Sequence, residues 1–192
     1  MPPPIAFVLV ADGSGLRQLP SVDGAPFGIV WSPDQKAVYM SVRGDYRTEL
    51  LKWNAGSSKA EKFMGGHVSD ADPSGRYLIS VLSFGERMGI YEVVLSDTRY
   101  IQLRPGVVTE NVTFAPDGKS FLYAVTSRGE VTIYRQLWKD GAVIGLPQVA
   151  LKIPFKFPLE YQGNAYDFSR DLSTFVYARP GGHADLYLLS QK

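Results

Sequence analysis

The chain has 192 residues, 45% of them apolar and 12% aromatic, which excludes disorder and allows one large domain with a buried core. Lys and Arg number 20 against 19 Asp and Glu, so a net charge of +1 offers no electrostatic footprint for nucleic acid or an anionic membrane. Cysteine is absent, which excludes disulfides, thiolate metal sites and a thiol nucleophile but leaves the compartment open.

The opening "MPPPIAFVLVADGSG" has no basic n-region, and its apolar run, Ile5 to Val10, is too short for a signal peptide or a membrane-spanning helix. As it stands the chain carries no export address; a periplasmic location would need one in a preceding part. Further along, a Pro-Asp corner recurs four times: "WSPDQKAVYM" from Trp31, "ADPSGRYLIS" from Ala71, "FAPDGKSFLY" from Phe114 and "FSRDLSTFVY" from Phe168. Measured at Asp34, Ser74, Asp117 and Asp171, the intervals are 40, 43 and 54 residues, a blade-sized period. In Ala115-Pro116-Asp117-Gly118, proline presets φ for a type I turn and glycine takes the positive φ that folds two strands into a hairpin. The first copy has Gln35 where glycine would sit, and the last has Arg170 for proline.

Each corner sits between strands. Before it the pattern alternates (Ile29 and Trp31, Val112 and Phe114, Tyr166 and Phe168); after it stand pairs apolar on both faces (Val38-Tyr39, Leu78-Ile79, Phe121-Leu122, Phe175-Val176). A strand apolar on both faces must be covered on both, as in sheets stacked face to face around an axis. Third strands follow at "TELLKW", "GIYEVVL", "EVTIYRQL" and "ADLYLL", and fourth strands at "RYIQL", "QVALKI" and near Lys62-Phe63. Residues Trp138 to Tyr161, with Pro147, Pro154 and Pro158, read as the longest irregular insert, a surface excursion suited to recognition. The expected fold is all-β, a β-propeller of four-stranded antiparallel blades.

With its Trp-Ser-Pro-Asp corner at 31–34, its Phe-Ala-Pro-Asp-Gly-Lys corner at 114–119 and the pairs Ile90-Tyr91, Ile133-Tyr134 and Leu186-Tyr187, the chain resembles TolB-like, PD-repeat β-propellers over essentially its whole length. The resemblance makes "VLVADGSGLRQLP" (Val8 to Pro20) the last hairpin of a blade. It divides the chain into a trailing hairpin (1–22), three blades (23–64, 65–104, 105–158) and an incomplete blade (159–192), seventeen strands in all. About four blades, in a family whose closed rings usually have six or more, imply the C-terminal part of a larger propeller. The alternative is a four-blade ring closed by pairing Leu16–Leu19 with the final strand. Such repeats are similar to the propeller that follows the kinase domain in bacterial serine/threonine kinases, but this chain holds no nucleotide loop, His-Arg-Asp or Asp-Phe-Gly.

Seven residues before each anchor lie Phe27, His67, Glu110 and Asn164, which would meet at one mouth of a central channel; Asp70 and Asp167, four residues before theirs, would line it. Those carboxylates equally suit a solvated channel. "DADPSG" from Asp70 is no calcium loop, because position 12 falls on Val81. The Gly-Gly-His triplets at 65–67 and 181–183 occupy unlike places in the repeat, so no metal or cofactor is expected. Asn111-Val112-Thr113 fits a glycosylation sequon but falls within a strand. No nucleophile elbow occurs, and the basic residues are scattered over the blades, against nucleic-acid binding. The expectation is a non-catalytic module binding a protein or peptide, with self-association through open blade edges. The alternatives are a ligand-binding or hydrolytic propeller acting through His67, Glu110 and Asn164, and a gene fragment without separate function.

Overall fold

A computed structural model describes residues 7–8, 17–44, 48–82, 87–107, 109, 111–127, 130–154, 166–179 and 185–190. Among them are seventeen β-strands in five antiparallel sheets. A hairpin, β1 (Phe7–Val8) and β2 (Arg17–Gln18), comes first. Blade 1 is β3 (Ala25–Trp31), β4 (Ala37–Arg43), β5 (Thr48–Asn54) and β6 (Glu61–Gly65). Blade 2 is β7 (Asp70–Ala71), β8 (Tyr77–Leu82), β9 (Gly89–Val94) and β10 (Arg99–Pro105). Blade 3 is β11 (Val112–Phe114), β12 (Ser120–Ser127), β13 (Glu130–Lys139) and β14 (Ala142–Pro154). The last sheet has three strands, β15 (Tyr166–Phe168), β16 (Thr174–Arg179) and β17 (Asp185–Ser190). In every sheet, sequential strands are neighbours.

The corners make these hairpins. The residue after each anchor takes a left-handed φ: Gln35 58°, Gly75 71°, Gly118 60° and Leu172 60°. Two of the four are therefore L residues where glycine is the relaxed choice. Each corner is closed by a backbone bond, such as Gly118 N–H to Ala115 O at 3.0 Å. The carboxylates of Asp34, Asp117 and Asp171 accept the N–H two residues on, at 3.0, 2.8 and 3.0 Å. In the second corner Asp72 does the work from two places earlier, accepting from Ser74 and Tyr77 N–H at 2.9 and 2.7 Å.

The core lies between the sheets. Successive residues of the strand after each corner enter different clusters, as their alternating Cβ directions require. Tyr39 packs with Leu50, Val68, Leu78 and Val93 between blades 1 and 2. Ile79 and Ile90 pack with Phe114, Phe121 and Trp138 between blades 2 and 3. Leu122 and Ile133 pack with Phe168 and Phe175 between blade 3 and the last sheet. On the outer side of blade 1, Val38, Met40, Val42 and Trp53 pack with Leu19. Each blade is thus buried by its neighbours, which is the reason a module of some forty residues recurs.

Two expectations are corrected. Residues 138–154 are not irregular: β13 and β14 form a long hairpin turning at Asp140-Gly141, where φ is 44° and 86°. Pro147 is accommodated where the register slips between Arg135 and Leu137, and the buried Gln136 amide donates to Ile144 O at 3.0 Å there. The remainder of that stretch, 155–161, lies outside the described residues. The alternative, a four-blade ring closed by pairing Leu16–Leu19 with the final strand, is not formed among the described residues, where β2 and β17 lie in different sheets.

Candidate functional site

The first strands β3, β7 and β11 are neighbours in space, which brings together residues at equivalent repeat positions. At the start of the seam between blades 1 and 2, the Phe27 and His67 rings stack with centroids 5.1 Å apart and planes at 20°. The Arg43 guanidinium lies over the other partner of that stack, 5.2 Å from the Phe27 centroid. Gly28 permits this: a Cβ there would stand 3.0 Å from His67 Nε2 and 3.3 Å from Ser41 Oγ. Ser41, fully buried, accepts the Val68 N–H at 3.0 Å and so ties blade 1 to the residue after His67. Burial pushes the His67 pKa below its ordinary value, so the imidazole is neutral at pH 7. Phe27 remains 42% exposed. The result is a partly exposed aromatic ring with an imidazole stacked on it and a guanidinium over it. Glu110 and Asn164, the other two residues expected at this mouth, lie outside the described residues.

Asp70 is a structural tie among three sheets. It is 6% exposed. Its Oδ1 accepts the Ala71 N–H at 2.8 Å and pairs with Arg170 at 2.5 Å; its Oδ2 accepts the Phe114 N–H at 2.9 Å and the Thr113 hydroxyl at 2.5 Å. Thr113 is the residue equivalent to Asp70 one blade on, and Arg170 is the departure from proline in the last corner. Asp167 repeats the local half of the arrangement, accepting the Phe168 N–H at 2.8 Å from an exposed position. Asn111, of the sequon, donates from Nδ2 to Tyr166 O at 2.7 Å and joins blade 3 to the last sheet.

Another buried carboxylate had no signal in the repeat pattern. Glu92, 0% exposed on β9, accepts from the Trp138 indole N–H and from Gly141 N–H at 3.1 Å, clamping blade 2 to the β13–β14 turn. Its Oε1 has no hydrogen-bond partner, and burial raises its pKa above the usual carboxylate value despite the two donors. Only the "E-V-V-L" break in an otherwise apolar strand could have drawn attention to it. No group of three or more His, Cys, Asp or Glu among the described residues could hold a metal ion. No helix among them is long and apolar enough to cross a membrane.

No protein-family model matches this chain, and no curated protein matches it in sequence. Solved structures do. TolB from Acinetobacter baumannii is similar with a TM-score of 0.67 at 18% identity, over 97% of this chain and 46% of that one. A putative TolB from Agrobacterium tumefaciens gives 0.55 at 18% identity, over 92% and 62%. A chain of a nidogen/laminin complex gives 0.61 at 14% identity, over 90% and 64%. The chain therefore has the TolB-like β-propeller fold, and it spans less than half the length of the Acinetobacter protein.

Proposed function

We propose that this chain is a non-catalytic protein-interaction module, a section of a TolB-like propeller that takes a protein or peptide segment at the Phe27–His67 end of its first seam. The stacked pair carries the reading: a partly exposed aromatic ring, held by a neutral imidazole stacked on it and a guanidinium over it, offers apolar surface next to a cation and suits an apolar side chain flanked by an acidic one. The carboxylates on the first strands, Asp70 and Asp167, are occupied by backbone N–H groups and Arg170. That supports a structural part for these two carboxylates. The nidogen/laminin neighbour, a protein in a complex with another protein, supports a protein partner. Attachment to a larger bacterial protein, such as one in which the propeller follows a serine/threonine kinase domain, belongs to this proposal and is supported by the corner repeats. Its share of the TolB chain supports a ring with more blades than these.

The test is selection from a random-peptide phage library on the immobilised chain, followed by fluorescence titration of one selected peptide. Phe27→Ala and His67→Ala are each expected to weaken it by roughly tenfold or more. Selected peptides that bind both variants as tightly as the parent would contradict the reading.

A further inference from the structure

The seam that carries the Phe27–His67 pair differs from the next seam at two buried positions. Six residues past each corner anchor the strand turns a side chain toward the preceding unit, and seven residues past it toward the following one. Between blades 2 and 3 these places hold Tyr123 and Val81, both in the apolar cluster. Between blades 1 and 2 they hold Ser80 and Ser41, 2% and 0% exposed. A hydroxyl buried in an apolar seam costs free energy unless it is hydrogen-bonded. One peptide unit satisfies both: the Ser80 hydroxyl donates to His67 O, and the Ser41 hydroxyl accepts the Val68 N–H at 3.0 Å. The bond between His67 and Val68 is thus gripped by one serine from each blade.

The grip extends along the connector from β6 to β7. Gly65 O accepts the Tyr100 hydroxyl of blade 2, Gly66 N–H donates to Thr48 O of blade 1 at 2.9 Å, and Ser69 N–H donates to Ile79 O of blade 2 at 2.9 Å. From residue 65 to residue 69 the backbone is therefore tied to the two blades in turn. Gly66, at φ 118°, lets Tyr100 approach: a Cβ there would stand 2.7 Å from the phenol oxygen. Because a peptide unit is planar, holding the His67 oxygen and the Val68 N–H holds the His67 Cα with them. Gly28, without a Cβ, then leaves the imidazole room to lie on Phe27. We infer that Ser41 and Ser80 are positioning residues of the binding site: they act through His67, holding its ring against Phe27, and so set the affinity for the peptide. The inference rests on the Phe27–His67 reading and adds to it the two buried side chains that preorganise the pair.

Proton NMR of the imidazole rings, two in this chain, tests the hold without any peptide. His67→Ala assigns the resonances, and Phe27→Ala gives their positions without the stack. In Ser41→Ala and in Ser80→Ala the His67 ring protons should move toward the Phe27→Ala positions, with an unaltered circular dichroism spectrum. The peptide selected on the parent should bind each variant about threefold to tenfold more weakly. Each variant removes one end of the grip, so either decides the matter if the other does not fold. Trp138→Phe, which removes a hydrogen bond from the next seam instead, should leave the ring positions and the affinity at the parent's values. Ring protons that keep the parent's positions in the serine variants overturn the inference. So does an affinity that falls as far in Trp138→Phe, or one that holds in the serine variants while falling in His67→Ala. An affinity that survives His67→Ala sinks the peptide reading instead, and the ring positions still decide whether the serines hold His67.

Discussion

Replacing Gln35 by glycine should make this protein more stable. Gln35 holds φ at 58° in the first corner, where the second and third corners have glycine at 71° and 60°. A left-handed conformation costs an L residue roughly 1–2 kcal/mol, while glycine gives back roughly 0.5–1 kcal/mol through its freedom in the unfolded chain. The side chain is exposed, and the bond that closes the turn, from its N–H to Ser32 O at 2.8 Å, is backbone and survives. The net gain is about 0.5–1 kcal/mol, equivalent to a rise of about 1–4 °C in Tm for a domain of this size. Scanning calorimetry at pH 7 measures it, with Gln35→Ala as the control that keeps the strain and should lie within about 0.5 kcal/mol of the parent. A Gln35→Gly protein melting at or below Gln35→Ala would refute the reasoning. The same change at Leu172, φ 60°, should not help, because Leu172 packs against the Phe168 and Phe175 cluster and loses that contact.

Asp70→Asn leaves one acceptor where Phe114 N–H, Thr113 hydroxyl, Ala71 N–H and Arg170 now meet two carboxylate oxygens, and should cost about 2–3 kcal/mol in urea unfolding. Arg170→Ala should cost less, about 1 kcal/mol, since that side chain is 47% exposed and water screens the pair. The Asp171 carboxyl is held at about 2, against an ordinary 3.8, first by the Ser169 hydroxyl and then by the Ser173 N–H. Its folded value is depressed, so its contribution is present above about pH 4 and lost as pH falls toward 2; acid titration of Asp171→Asn should be flatter across that window. Glu92 has the opposite sign: burial raises its folded value above 4.5, so stability is lost as pH rises through that value. Glu92→Gln cannot ionise, and thermal melts should show it gaining on the parent as the pH rises above 4.5.

The blades were legible because their cause is local. The corner carries its own turn chemistry, and the apolar pairs Val38-Tyr39, Leu78-Ile79 and Phe121-Leu122 state that both faces are covered; those residues do enter separate clusters. The β13–β14 hairpin was not legible, because Pro147 and Pro154 read as breakers, whereas one sits at a register slip and the other ends the strand. Trp31 occupies the repeat position of the buried Phe114 and Phe168, which reads as a wedge between blades, yet it is 41% exposed. At the site, repeat position brought Phe27 to His67, but periodicity holds no information on Asp70 with Arg170, one hundred residues apart, or on Glu92 with Trp138. Such pairs arise from how blades are set against each other, which no single repeat encodes.

The central claim is that cores lie between successive blades, so that Ile79 of blade 2 meets Phe121 of blade 3 while Leu122, next in sequence, turns to the far side. A double-mutant cycle on Ile79→Val and Phe121→Leu measures this directly in urea unfolding, with Ile79→Val and Leu122→Val as the reference cycle. Radial packing predicts a coupling of about 0.5 kcal/mol or more in the first and additivity in the second. Additivity in the first, or equal coupling in both, would contradict it.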